Sequence, residues 1–175
     1  LDDLARVKRV IVDVVRPSGW AILNADDPYV SAMADYSKGR VSYFSMDPDN
    51  EIIREQSQKG EISCIYESGF ITILNGHWMI RVAKAVEVPL TMEGRAPFMI
   101  QNVLAVTLAA FLRKIKPADI RNALRTFVPG FATTPGRLNR MQINDIEILV
   151  DFAHNPAGYR ALGSLIERIS AKRKI

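Results

Sequence analysis

A chain of 175 residues with 48% hydrophobic and 24% charged residues has the composition of a globular protein and the length of one domain or parts of two. Its net charge of +4 is scattered, with one dense cluster at Lys172-Arg173-Lys174 and no interleaving of aromatic and basic residues, so no nucleic-acid partner is expected. No apolar run reaches the roughly 20 residues of a membrane helix, and the single cysteine excludes an internal disulfide.

The start, Leu1-Asp2-Asp3-Leu4, is acidic where a signal peptide is basic and then apolar. It also lacks an initiator Met, so a cytoplasmic protein without a membrane partner, cut from a longer chain, is expected. Leu4, Val7, Ile11 and Val14 recur at spacings of three and four and predict a helix with one apolar stripe. Asp2 or Asp3 would cap it, and Pro17-Ser18-Gly19 would end it. A short strand over 20–23 runs into Asn24-Ala25-Asp26-Asp27-Pro28. There the acids and the proline read as the cap and first turn of a helix reaching about residue 36. Residues 41–45 predict a further strand.

The middle is β-rich. Runs over 62–66, 70–74 and 77–82 are separated by Ser68-Gly69 and Asn75-Gly76, which tolerate positive φ and signal hairpins. An antiparallel meander is expected, extended over 86–91. Cys64 lies between Ile62 and Ile65 in an apolar run and reads as a buried, inert thiol. His77 reads as a turn residue. Pro97 opens a long apolar helix to about residue 115. A second spans 117–127, with Ile120, Leu124 and Phe127 on one side. The Pro-, Gly- and Thr-rich loop over 128–137 is the candidate domain boundary. Strands near 138–143 and 146–152 and a helix opening at Pro156 complete an α/β fold.

Four islands carry chemistry, and their order matters more than any one alone. Lys8 sits on the first helix. Asn24-Ala25-Asp26-Asp27 follows at a strand's carboxyl end, where ligands bind in open α/β sheets. Asn102 shares a helix face with Ala105 and Ala109, small residues that leave room for a flat group whose edge an amide can pair. Pro135-Gly136-Arg137 precedes Asp151-Phe152-Ala153-His154-Asn155-Pro156. Asp151 can accept from ribose hydroxyls. His154 and Asn155 stand before a helix whose amino end favours phosphate, although Asn155 also reads as a plain cap. For Asp26 and Asp27 a structural role is expected over metal binding. Neither a zinc-spaced Cys/His cluster nor a Ser-His-Asp set is present in the sequence.

This order resembles the Mur ligase family of ATP-dependent amide ligases. The closer likeness lies in Leu4-Ala5-Arg6-Val7-Lys8-Arg9, Pro17-Ser18-Gly19-Trp20-Ala21-Ile22-Leu23-Asn24, Phe44-Ser45-Met46-Asp47-Pro48, Val88-Pro89-Leu90-Thr91 and Gly94-Arg95-Ala96-Pro97-Phe98. On those pieces it is to a member whose Mur-like part joins arginine to the side-chain carboxylates of a poly-aspartate chain, while a separate ATP-grasp part extends the backbone. The resemblance implies the second half of a central ATP-binding domain over 1–136 and the start of a Rossmann-like third domain over 137–175. It implies ATP and magnesium as cofactors, and arginine and poly-aspartate as partners.

It also implies roles. Lys8 would be catalytic as a carbamate that holds magnesium, which requires a site that favours the neutral amine. Asn102 would contact adenine, Arg137 would act catalytically on phosphate or ribose as domains close, and Asp151, His154 and Asn155 would complete the nucleotide site. Two positions depart from the family pattern: Met99 stands where many members have Asn, and Gln101 where many have Glu or His. The sequence also lacks the Gly-x-x-Gly-Lys-Thr loop with which the family cradles phosphates, so this chain by itself is expected to be inactive. Rival readings are a peptidoglycan-precursor or folylpolyglutamate ligase of the same fold, and a non-catalytic nucleotide-binding module. A homo-oligomer is compatible with all of them.

Overall fold

A computed structural model describes residues 2–175; Leu1, the first residue of the acidic start, lies outside the described residues. Helix α1 (Asp2–Asp13) leads to β1 (Trp20–Asn24), α2 (Pro28–Ser31) with a 3-10 continuation (Ala32–Tyr36), β2 (Arg40–Ser45) and α3 (Glu51–Gln58). The meander β3 (Ile62–Glu67), β4 (Phe70–Asn75) and β5 (Trp78–Lys84) follows, then two 3-10 turns (Ala85–Glu87 and Pro89–Thr91). Helices α4 (Pro97–Leu112) and α5 (Pro117–Thr126) precede the hairpin β6 (Asn139–Ile143) and β7 (Ile146–Val150), and α6 (Pro156–Arg168) closes the series.

The meander and the crossover units are one mixed sheet, ordered β1-β2-β3-β4-β5. β1, β2 and β3 run parallel because the helical segments between them return the chain to the same end. β3, β4 and β5 run antiparallel because Ser68 (φ 50°), Gly69 (φ 83°) and Gly76 (φ 59°) supply the left-handed backbone that tight turns need. Adjacent strand residues point to opposite faces. Phe44, Cys64, Ile73 and Val82 meet Ile100, Leu104 and Leu108 of α4 and Ile120 of α5 on one face. Tyr43, Ile65 and Leu74 meet Val12 of α1, Met33 of the 3-10 continuation and Ile53 of α3 on the other. The result is a three-layer α/β/α arrangement. Cys64 is fully buried, and burial pushes its thiol pKa up, away from reactivity.

Three expectations are corrected, and one helix is added to them. Residues 86–91 are not a strand but two 3-10 turns: Pro89 has no N–H for a ladder, and the Thr91 hydroxyl lies 2.6 Å from the Ala85 carbonyl and 2.9 Å from that of Val88. The helix expected to reach residue 36 is α-helical only to Ser31. Helix α3 was not anticipated, although Asn50 caps it by accepting from the Ile52 N–H at 3.0 Å and Ile53 is its buried anchor. Finally, the predicted stripe of α1 does not face the core. Leu4, Val7, Ile11 and Val14 are all more than half exposed, while Val12 is buried and Ala5 and Val15 lie partly against the sheet's helical layer.

The hairpin β6–β7 is a separate two-stranded sheet. It and α6 dock on the start of α4, where Leu138 and Leu165 pack with Met92, Ala96 and Met99. The Arg168 guanidinium also donates to the Arg95 carbonyl at 3.3 Å. Among the described residues no helix is long and apolar enough to cross a membrane.

The observed facing of α1 makes a measurable distinction. Ile11→Ser should leave the urea-unfolding free energy of this chain within about 0.5 kcal/mol. Val12→Ser, one residue on, should cost at least ~1 kcal/mol by burying an unmatched hydroxyl. Equal effects would mean the helix packs the other way.

Candidate functional site

The carboxyl ends of β1 and β2 are tied together by Asp26. One of its oxygens accepts from the Ser45 hydroxyl, and the other from the Met46 N–H at 2.7 Å. Asn50 adds a longer contact at 3.4 Å. Asn24 accepts from the Asp26 N–H at 3.0 Å, and Asp27 caps α2 by accepting from the N–H groups of Tyr29 and Val30. The acids of this stretch therefore hold the loop's shape, as the capping argument predicts.

Arg137 sits in a turn set by backbone geometry and by one buried side chain. Gly136 (φ 69°) and Leu138 (φ 49°) flank it in left-handed conformations. Asn139, fully buried, accepts from the Gly136 N–H at 2.7 Å and donates to the carbonyls of Thr134 (2.9 Å) and Arg137 (3.3 Å). Sequence reasoning passed over Asn139. Its signal was a polar residue opening a strand two positions after Arg137, where an amide can serve both a donor and an acceptor. Held this way, the exposed Arg137 guanidinium lies 5.4 Å from the centre of the Phe152 ring, within cation–π range.

Asp151, at the end of β7, is half-buried and already accepts from the Leu138 N–H at 3.1 Å, so one of its two oxygens is committed to the fold. The His154 ring stacks obliquely on Phe152 at 5.1 Å, and its Nδ1 lies 3.0 Å from the Phe152 carbonyl. That contact places the neutral ring's proton on Nδ1 and leaves Nε2 facing solvent as an acceptor. Asn155 caps α6 by accepting from the Gly158 N–H at 2.8 Å. Its side chain is thus engaged in the fold.

Asn102 lies on α4 with its side chain exposed, on the outer face of the helix. Its amide contacts the Met99 sulfur at 3.5 Å. Met99 is buried against Leu138, the residue whose N–H Asp151 holds. Along the seam between α4 and the hairpin–α6 unit, contacts therefore run from Asn102 through Met99 and Leu138 to Asp151, and Arg137 and His154 both lie against Phe152. Lys8 is not part of that seam. It is exposed on α1, which packs on the opposite face of the sheet from α4.

The free groups at the seam are an amide, a guanidinium, one carboxylate oxygen and an imidazole nitrogen. Among the described residues no three His, Cys, Asp or Glu side chains converge where a metal ion could be held.

No family model matches the chain. The chain is 25% identical over 178 residues to a UDP-N-acetylmuramoyl-L-alanyl-D-glutamate–2,6-diaminopimelate ligase of Caldanaerobacter subterraneus, covering 100% of this chain and 32% of that protein. More narrowly, the chain is homologous to cyanophycin synthetase. It is 49% identical over 173 residues to the cyanophycin synthetases of Crocosphaera subtropica and of a Synechocystis strain, covering 99% of this chain and 20% of each relative. It therefore spans about a fifth of the length of the curated relatives it matches.

Asn139 offers a direct test of how the Arg137 turn is held. Asn139→Ala leaves a buried N–H and two carbonyls without their partner, which should cost about 1–3 kcal/mol in urea unfolding and speed hydrogen exchange at the Gly136 amide. An unchanged Gly136 exchange rate would show that the turn holds itself.

Proposed function

We propose that this chain is part of an ATP-dependent acid–amino-acid ligase that works through an acyl phosphate and joins arginine to the side-chain carboxylates of a poly-aspartate chain, as in cyanophycin synthesis. The observation that carries the reading is the seam, along which Asn102, Arg137, Asp151 and His154 lie although they span more than fifty residues of sequence. The near-complete coverage of this chain by cyanophycin synthetases supports the same reading. ATP supplies the phosphoryl group that activates the carboxylate, and magnesium offsets its charge.

In this reading residues 1–136 belong to a central ATP-binding domain and 137–175 begin a third domain. Two features support the first assignment. β1 has no strand partner on its outer side among the described residues, and α1 turns Leu4, Val7, Ile11 and Val14 outward. An open parallel edge beside an apolar helix face suits a sheet that continues. Lys8 lies on that same exposed face, so its proposed carbamate would meet magnesium through groups supplied from elsewhere in the polypeptide. Because these 175 residues hold no Gly-x-x-Gly-Lys-Thr loop, the chain by itself is proposed not to hydrolyse ATP. The loop's presence elsewhere in the polypeptide separates this reading from a non-catalytic binding module.

Asn102 would pair with the adenine edge, Asp151 would use its uncommitted oxygen on ribose, and Arg137 would reach phosphate or ribose on closure. Asn102 is exposed here, so an unmatched amide arises only once a nucleotide covers it. In the full-length enzyme Asn102→Ala should then weaken ATP by about 5- to 150-fold and erode the preference over GTP. Asp151→Ala should weaken ATP and GTP alike, and Arg137→Ala should lower kcat more than it raises KM. Steady-state kinetics with both nucleotides decides it: retained ATP preference in Asn102→Ala removes the adenine assignment.

For Lys8, the expected outcome is that Lys8→Ala loses most ligase activity and regains part of it with short-chain carboxylic acids, which can stand in for a carbamate. Full activity of Lys8→Ala at limiting magnesium would remove that role.

A further inference from the structure

At the amino ends of β1, β2 and β3, the end of the sheet opposite the strand termini where α/β proteins ordinarily bind ligands, lies an open cleft of about 460 Å3. Its floor is apolar and aromatic, formed by Trp20, Phe111 and Ile115, and Arg40, Lys114 and Lys116 stand around it. No acidic residue lines it; Glu61 and Asp119, next in sequence or nearly so to lining residues, do not contribute. Among the described residues, none of these three cations forms an ion pair or donates a side-chain hydrogen bond. The Arg40 guanidinium carbon lies 4.1 Å from the centre of the Trp20 ring, within cation–π range, a contact that uses none of its N–H donors.

Two of these cations run against local preference. Lys114 follows the end of α4 in the left-handed region (φ 64°), its N–H bonded to Phe111 and the next N–H to Ala110. This is the helix-stop geometry in which glycine is the unstrained residue. Lys116 is the N-cap of α5, where no side chain caps the first turn. A cation there faces the positive end of the helix dipole, and Ser or Asp would be the stabilising choice. Fold stability alone therefore explains neither residue well, and both stand at the mouth of the same cleft.

We propose that this cleft is a second binding site, for a small organic anion (a carboxylate or a phosphate ester) that carries a planar apolar body. The body lies on Trp20 and Phe111, and the anionic group meets Arg40, Lys114 and Lys116. The cleft is of ligand size, and the inference is independent of the nucleotide reading because the two places share no residue.

The test uses the full-length polypeptide and ligand-observed NMR titration with 1-naphthoate, 1-naphthyl phosphate, the neutral 1-naphthalenemethanol and inorganic phosphate. The double variant Lys114→Gly/Lys116→Ser is compared with the wild type. Saturable binding of a naphthyl anion is expected, weakened about tenfold in the variant, while the melting temperature stays level or rises because both replacements suit the backbone better. Naphthoate against naphthyl phosphate then tells which anionic group is preferred. The proposal is overturned if no naphthyl anion binds, if the neutral alcohol binds equally well, if inorganic phosphate alone competes as strongly, or if the variant binds like the wild type. A fall in melting temperature alongside the loss of binding would also overturn it, by assigning the two lysines to the fold.

Discussion

Helix α4 is the element that two of the three apolar cores among the described residues share. A strongly apolar helix must bury most of its surface, and α4 is covered from two directions, leaving Asn102 and Val106 on its exposed outer face. Ile100, Val103, Leu104 and Leu108 sink into one face of the five-stranded sheet, while Ala96 and Met99 at its start receive Leu138 and Leu165. Burial of apolar area is the dominant favourable term in folding, so this single helix sets both the position of the sheet's covering layer and the seat of the hairpin–α6 unit. The nucleotide-site candidates are consequences of that packing. Asn102 is the polar residue on the outer face of the same helix, and Arg137 and Asp151 bracket the Leu138 that it anchors.

The polar groups near the seam divide between those that build it and those left over. Asn139 and one oxygen of Asp151 are engaged with backbone, and Asn155 closes the first turn of α6. Buried or half-buried polar groups need such partners, and their engagement is what keeps Arg137 and the exposed ring of Phe152 in register with each other. Arg137, the free oxygen of Asp151 and the His154 ring remain available to a ligand. A rigid frame carrying a few uncommitted groups is what a binding site requires.

The sheet also separates places that a linear reading of motifs would merge. Lys8 and Asn102 belong to helices on opposite faces of the sheet. The cationic cleft lies at the amino ends of the parallel strands, whereas Asn24 and Asp26 mark their carboxyl ends. Three parallel strands bounded by such different chemistry at their two ends leave room for more than one ligand.

What the sequence determined by itself was whatever depends on near neighbours. The turn pairs Ser68-Gly69 and Asn75-Gly76 fixed the meander, Asp27 before Pro28 fixed a cap, Pro97 and Pro117 fixed two helix starts, and the ordered islands pointed to the ligase relatives. Those signals act over a few residues, where backbone sterics and local hydrogen bonds suffice. Only the tertiary structure decided which face of α1 is covered, because a stripe such as Leu4, Val7, Ile11 and Val14 states that an apolar face exists and not what lies against it. Likewise only the fold revealed that Asn139 holds the Arg137 turn, that Asp151 is half committed to Leu138, and that Trp20, Arg40 and Lys116 meet in one cleft. Asp151 and Leu138 are 13 positions apart and Trp20 and Lys116 are 96 apart, so these meetings exist only in the folded chain. The Asn139 bonds span two to five residues, but they form only where the turn and the burial of that side chain bring donor and acceptors together.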